Sequence, residues 1–179
     1  MMRVAFICSA NRARSPFAAA LLRRHLVLLP VHVESYGTLE QRGAPALPQA
    51  IDAARAFGID LTQHRARTLA LGQLAESDLV VGFEPFHVAS AVDTGKVPHA
   101  RAFLLGELAK LLEGTELQDG PADLSRLATW IERADELRSS GRWSAPSIAD
   151  PVGTSDRRFL ETYRVIDQGV ATIAERLFS

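Results

Sequence analysis

A cysteine ends the first apolar run of this chain, and an arginine, a serine and a proline follow it into a helical run. The stretch reads Val4-Ala5-Phe6-Ile7-Cys8-Ser9-Ala10-Asn11-Arg12-Ala13-Arg14-Ser15-Pro16. Such an arrangement leaves little choice of local structure. Val4 to Cys8 is short, apolar and partly β-branched, which suits a buried strand. Ser15 caps a helix well and Pro16 is tolerated in its first turn, so the sequence places a helix start there. A strand that passes through a tight loop directly into a helix is the first half of a βαβ unit, and the following strand then lies parallel.

The rest of the chain continues that alternation. Strand candidates are Arg3 to Cys8, Val31 to Tyr36, Asp78 to Phe83 and Ala102 to Leu105. Between them, Pro16 to Leu28 reads as a helix with Phe17, Leu21, Arg24 and Leu28 on one face. Pro45 to Phe57 reads as another, with Leu47, Ile51 and Ala54 inward and a left-handed cap at Gly58. Four strands alternating with helices imply an α/β fold, a three-layer sandwich with a central four-stranded parallel sheet flanked by helices. Leu112 to Gly120 reads as a loop. Pro121 starts a helix with Leu124, Leu127, Ile131 and Leu137 on one side, and Ser139 to Pro146 reads as a second loop. The final helix is the plainest: Phe159, Tyr163, Ile166, Val170, Ile173 and Leu177 recur in steps of four and three, with Ser155 as N-cap and Asp156 in the first turn. The expectation is one domain over 1–179, with an extended helical segment around 106–146.

Composition excludes several classes of function. A net charge of -1 gives no drive toward nucleic acid or an anionic membrane surface. No apolar run approaches the roughly 20 residues that span a bilayer. Cys8 is the only cysteine, which rules out an internal disulfide framework and favours a reducing compartment, so a soluble cytoplasmic protein is expected. The five histidines lack metal-ligand spacing, and Thr94-Gly95-Lys96 has Ser90 where the first glycine of a nucleotide loop belongs. No metal and no cofactor is expected. Oligomeric state leaves no trace in the sequence.

What remains is chemistry at the first loop. Phosphate monoester hydrolysis needs a nucleophile for phosphorus, fixed donors for the equatorial oxygens, and a proton for the leaving oxygen. Cys8 is a nucleophile as its thiolate, and a helix N-terminus with a nearby arginine favours that form. Unpaired amides at the start of the helix, with the loop amides, can form a nest for an anion. Arg14 can present its planar fork to two phosphate oxygens. Taken singly, Cys8 reads as a core cysteine and Arg14 as a solvated helix residue; taken together at this spacing, they read as a phosphate loop.

Cys8 to Pro16 resembles the signature of the low-molecular-weight protein tyrosine phosphatases. Further segments resemble that family in the same order: Ser35-Tyr36-Gly37-Thr38 after the second strand, Gly58-Ile59 through His64-Arg65-Ala66-Arg67, Ser77-Asp78-Leu79-Val80-Val81, and Ile148-Ala149-Asp150-Pro151 before the terminal helix. The resemblance implies the phosphotyrosine phosphatase I-like fold and a cysteine-dependent phosphatase. Under it, Cys8 forms a phosphocysteine, Arg14 binds the phosphoryl group, and Asp150 protonates the leaving oxygen and then deprotonates water. Ser9, Ala10, Asn11, Arg12, Ala13 and Ser15 complete the phosphate-binding loop, with Ser15 donating to the thiolate. Asn11, Ser35 and His64 support the loop's shape; by its residues alone His64 is equally a surface histidine beside two arginines.

The chain departs from the family pattern at several positions. Ala13 stands where a second cysteine is frequent, so peroxide is expected to inactivate Cys8 without an intramolecular disulfide. Ala10 replaces a glycine. Arg12 replaces an apolar residue or threonine, and either attracts an acidic substrate or points to solvent. Val152 follows Asp-Pro, and Leu39-Glu40-Gln41-Arg42 occupies a loop where an aromatic wall is usual; Tyr36, Phe86, His87 and Trp143 are candidates to compensate. The expected partner is therefore a phosphorylated protein, with a small phosphomonoester or another phospho-residue as the alternative. An arsenate reductase coupled to an external thiol and a non-catalytic phosphate-binding module are the further alternatives.

Overall fold

Four short strands form one sheet in the computed structural model, which describes residues 1–69, 74–114, 124–140 and 147–178. They are β1 (Met2–Cys8), β2 (Val31–Gly37), β3 (Leu79–Gly82) and β4 (Ala102–Leu104). All pair in parallel, in the order β2-β1-β3-β4. The order reverses between β1 and β3, and the carboxyl ends of those strands are where an open α/β sheet leaves a crevice. The helices are α1 (Arg14–His25), α2 (Pro48–Arg55), α3 (Pro85–Asp93), α4 (Leu105–Glu113), α5 (Leu124–Ser139) and α6 (Asp156–Phe178).

The continuous apolar character of β1 follows from burial on both faces. Val4, Phe6 and Cys8 join one core with Phe17 and Leu21 of α1, Ala50 and Ala54 of α2, and Tyr163, Ile166 and Val170 of α6. Ala5 and Ile7 point the other way, into a smaller core with Val80, Ala91 and Val97. Helices on both faces of a parallel sheet give the expected three layers. All six residues of the α6 stripe are buried, and the Ser155 hydroxyl accepts from the Arg158 amide at the helix start. Leu127, Trp130, Ile131 and Ala134 of α5 pack into the larger core. Among the described residues, no helix is long and apolar enough to cross a membrane.

Several boundaries differ from expectation. Helix α1 begins at Arg14, so Ser15 lies inside its first turn and Ala13 holds the N-cap position. The helix ends at His25, and Leu28, expected on its apolar face, is 92% exposed. Arg24 likewise faces outward, donating to the Phe57 carbonyl at 2.5 Å. Helix α2 starts at Pro48 rather than Pro45, because Pro45 bridges to Arg65 and Pro48 suits the first helical turn. Leu112 belongs to α4, where its side chain is buried, and not to a loop. Pro121, Trp143 and most of the two loops read around 112–120 and 139–146 lie outside the described residues.

Candidate active site

The loop from Cys8 to Arg14 leaves the carboxyl end of β1 in the middle of the sheet. It is tied down from three sides. From β2, the Thr38 amide donates to the Cys8 carbonyl at 3.0 Å and the Leu39 amide to the Ser9 carbonyl at 2.8 Å. Gly37 makes this approach possible: a Cβ there would lie 2.9 Å from the backbone of Ser9, Ala10 and Asn11. From inside, Asn11 is fully buried and takes a left-handed conformation (φ 54), which asparagine tolerates. Its Nδ2 donates to Ser15 Oγ and Ser35 Oγ, both at 2.9 Å, and its Oδ1 accepts from the Arg67 amide at 2.8 Å. From the 58–67 segment, His64 Nε2 donates to the Asn11 carbonyl at 2.6 Å. Burial holds the His64 imidazole below its ordinary range, against the pull of that carbonyl bond and with help from Arg67, Arg23 and Arg65. Both supporting residues suggested by the resemblance, Ser35 and His64, thus touch the loop.

Cys8 Sγ lies 3.0 Å from Ser15 Oγ, and the sulfur is nearly buried. Ser15 Oγ accepts from Asn11 and also lies 3.2 Å from the Tyr36 carbonyl. Its one proton therefore has two partners in reach, the Tyr36 carbonyl and the Cys8 sulfur. This explains why Ser15 does not cap α1: its hydroxyl is committed to the loop. Tyr163 donates to the Ala13 carbonyl at 3.0 Å. Burial above all pushes that phenol well above its ordinary range, so it remains a donor.

Arg14 is a cation with only 1% of its surface exposed. A charge so buried needs partners. Nη1 donates to Glu84 Oε2 at 2.5 Å and to the Ile148 carbonyl at 2.8 Å. Nη2 donates to Asp150 Oδ2 at 2.8 Å and to Ser9 Oγ at 3.3 Å. The guanidinium also sits over the Phe83 ring, 5.8 Å from its centroid. The loop carrying Asp150 is held to β3 by the Ile148 amide, which donates to the Phe83 carbonyl at 2.8 Å. Arg14 thus joins the Cys8 loop to Asp150, from opposite ends of the sequence.

Residues 3–128 match the family model described as low molecular weight phosphotyrosine protein phosphatase. The probable low molecular weight protein-tyrosine-phosphatase EpsP of Ralstonia nicotianae is 31% identical over 102 residues, covering 57% of this chain and 69% of that protein. The chain belongs to the low-molecular-weight phosphotyrosine protein phosphatases. Their structures share its fold. The low molecular weight protein tyrosine phosphatase from T. tengcongensis aligns with a TM-score of 0.73 at 23% identity, over 99% of this chain and 100% of that one. The YwlE arginine phosphatase from Geobacillus stearothermophilus aligns with a TM-score of 0.73 at 22% identity, over 99% and 93%.

As a hydrolase of this family, the chain shows how its departures are absorbed. Ala10 does not take the left-handed conformation, which falls on Asn11, so alanine fits without strain. Arg12 is half-buried; its Nε donates to the Pro45 carbonyl at 2.8 Å and its own carbonyl accepts from the Leu47 amide, which links the loop to the start of α2. Tyr36 is buried and forms no wall. Phe86 is 46% exposed and packs on His87, with ring centroids 4.1 Å apart. Glu84 is the residue that sequence reading missed, and His87, expected only as a candidate wall, is fully buried and bonds Ser9 instead. Their signal was topological: they follow β3, the strand beside β1 at the reversal of strand order.

Proposed function

We propose that this chain hydrolyses phosphotyrosine in proteins through a phosphocysteine on Cys8. The observation that supports this most directly is the buried Arg14 joining the Cys8 loop to Asp150 at 2.8 Å across 136 positions of sequence. The phosphoryl group sits in the loop, with its oxygens on loop amides and on the Nε–Nη2 edge of Arg14. That edge serves because both protons of Nη1 are spent on Glu84 and Ile148. Binding exchanges the Asp150 carboxylate for a phosphoryl oxygen on Nη2. Asp150, taking a proton as it leaves the guanidinium, is then placed to act as the acid. Cys8 Sγ attacks phosphorus, the S–P bond forms, the P–O bond breaks, and Asp150 protonates the departing oxygen. Water then attacks the phosphocysteine. Asp150 takes its proton, inorganic phosphate leaves, and the thiolate returns to its bond with Ser15.

The preference for an aryl ester is supported by exposed apolar residues next to site residues. Leu39, Phe86 and Val152 are exposed; the Leu39 amide bonds Ser9, the Phe86 ring packs on His87, and the Val152 amide bonds Asp150. Exposed apolar residues of this kind suit a flat phenyl group better than a sugar or serine. A free, unpaired nucleophilic thiol is suited to a reducing cytoplasm, and 1–179 is read as one catalytic domain.

The test is a panel of phosphotyrosine, phosphoserine and phosphoarginine peptides and sugar phosphates, on the wild type and Cys8→Ser. Turnover of the phosphotyrosine peptide by the wild type alone is expected. A folded protein that refuses phosphotyrosine but accepts phosphoarginine or a sugar phosphate moves the substrate elsewhere; unchanged turnover by Cys8→Ser removes the mechanism.

A further inference from the structure

The hydroxyl of Ser9 is surrounded by donors. Arg14 Nη2 donates to its Oγ at 3.3 Å. His87 Nε2 lies 3.2 Å from the same oxygen. The direction of that second bond is fixed by the far side of the imidazole. His87 Nδ1 faces two backbone N–H groups, those of Glu84 at 3.0 Å and Phe83 at 3.3 Å, and so it carries no proton. A neutral imidazole with a bare Nδ1 has its proton on Nε2, where it donates to Ser9. His87 has no surface exposed, so water offers no competing arrangement.

Ser9 Oγ therefore accepts twice, which fills both lone pairs. Its own proton has nowhere to go among the described residues with which it bonds. Its position is that of a donor awaiting an anion: one residue beyond Cys8, bonded to Nη2 of Arg14, and only half-buried.

We propose that Ser9 supplies a side-chain hydrogen bond to the bound phosphoryl group, with His87 as the positioning residue that turns the hydroxyl toward it. This rests on the reading of the loop as a phosphate site. It adds to the loop amides and Arg14 one donor whose direction is set by a helix on the opposite face of the sheet. Because the donor acts on the phosphoryl oxygens, it contributes to inorganic phosphate and to every phosphomonoester alike, whatever the leaving group.

The experiment measures inorganic phosphate binding by calorimetry and by the phosphate-dependent rise in melting temperature, beside turnover of p-nitrophenyl phosphate. Ser9→Ala is expected to weaken phosphate about tenfold or more, the loss of one hydrogen bond to a charged group, and to lower kcat/KM similarly. Ser9→Thr, which restores a hydroxyl, is expected to bind phosphate at least about threefold more tightly than Ser9→Ala. His87→Phe is expected to weaken phosphate in the wild-type background and to add nothing in the Ser9→Ala background, the signature of one residue acting through the other. If His87→Phe does not fold, His87→Leu replaces it in the same cycle. Phosphate affinity unchanged in Ser9→Ala, or equally reduced in Ser9→Thr, overturns the role of the hydroxyl. Equal effects of the His87 change in both backgrounds overturn the positioning role. Phosphate binding keeps these outcomes separate from the hydrolytic reading: a wild type that binds phosphate yet turns over no ester sinks the latter and leaves the Ser9 comparison intact.

Discussion

Arg14 sets the terms on which the site operates. A guanidinium with no access to water is stable only if its protons are used, and here two carboxylates, a carbonyl and a hydroxyl use them. The two carboxylates are not equivalent. Glu84 shares Nη1 with the Ile148 carbonyl, whereas Asp150 sits on Nη2, the nitrogen that also reaches Ser9 in the loop. On the proposed mechanism, substrate displaces Asp150 and not Glu84. Asp150→Ala then has two opposite effects. It frees Nη2, so inorganic phosphate is expected to inhibit more tightly than in the wild type. It removes the proton donor, so kcat is expected to fall by about 10²–10⁴. The fall should be larger for phenyl phosphate than for p-nitrophenyl phosphate, whose leaving group needs a proton less. Steady-state kinetics with both esters and phosphate inhibition check this; an equal fall for both esters would remove Asp150 from the acid role.

The start of α3 is built as a unit. Glu84 is extended, Pro85 occupies the first turn, and the His87 side chain turns back to accept from the amides of Phe83 and Glu84, donors that α3 itself leaves without carbonyl partners. Protonating His87 would put N–H against N–H in a buried place. Burial first, then the Arg14 charge, accordingly push its pKa down to about 3. In the unfolded chain the same imidazole titrates near 6.5, so below that pH the unfolded state binds the extra proton. The stability from neutral His87 is thus complete above about pH 6.5 and is lost as pH falls toward 3, at up to about 1.4 kcal/mol per pH unit. Urea unfolding from pH 7 to pH 4 should show the wild type losing stability more steeply than His87→Phe; parallel curves would contradict it. This element also marks the limit of sequence reading. Cys8, Arg14 and the α6 stripe were legible because their relations are local, set by the spacing within a loop or along one helix. Asp150, Ser35 and His64 were legible only through the family's motifs. Glu84 was not, and His87 was legible only as a candidate wall, because what brings them to Ser9 and Arg14 is the pairing of β3 beside β1, which no local pattern encodes. Ser15 was misread as a cap for a related reason: the competing partners, Cys8 and Tyr36, come from two adjacent strands.

Across the whole molecule, the last helix holds the first loop. Helix α6 follows the Asp150 turn at once and packs its buried stripe against α1, α2 and α4. In the middle of that stripe, the Tyr163 ring stacks on Phe17 with centroids 3.8 Å apart, and Phe57 and Phe159 approach it edge-on. Its hydroxyl ends on the Ala13 carbonyl, one residue before Arg14. The same terminal segment therefore carries Asp150, the acid of the proposed mechanism, and fixes the exit of the Cys8 loop. Tyr163→Phe separates packing from this bracing, since the ring remains and only the bond is lost. The Ala13 carbonyl keeps the Phe17 amide, at 3.3 Å, so losing the phenol's bond costs about 0.5–1.5 kcal/mol, or roughly 2–4 °C in melting temperature for each kcal/mol in a chain of this size. Leu177→Ala, in the same stripe, is expected to cost about 2–5 kcal/mol through the cavity it leaves, while kcat of the folded enzyme stays as it was. The two variants should therefore order oppositely: Leu177→Ala loses more stability, and Tyr163→Phe loses more kcat, as Arg14 shifts with the backbone beside it. Melting curves and kcat measured well below both midpoints decide the matter. If Tyr163→Phe keeps full kcat, α6 contributes only core to the fold, and the geometry at Arg14 is held by the β1–β3 side alone.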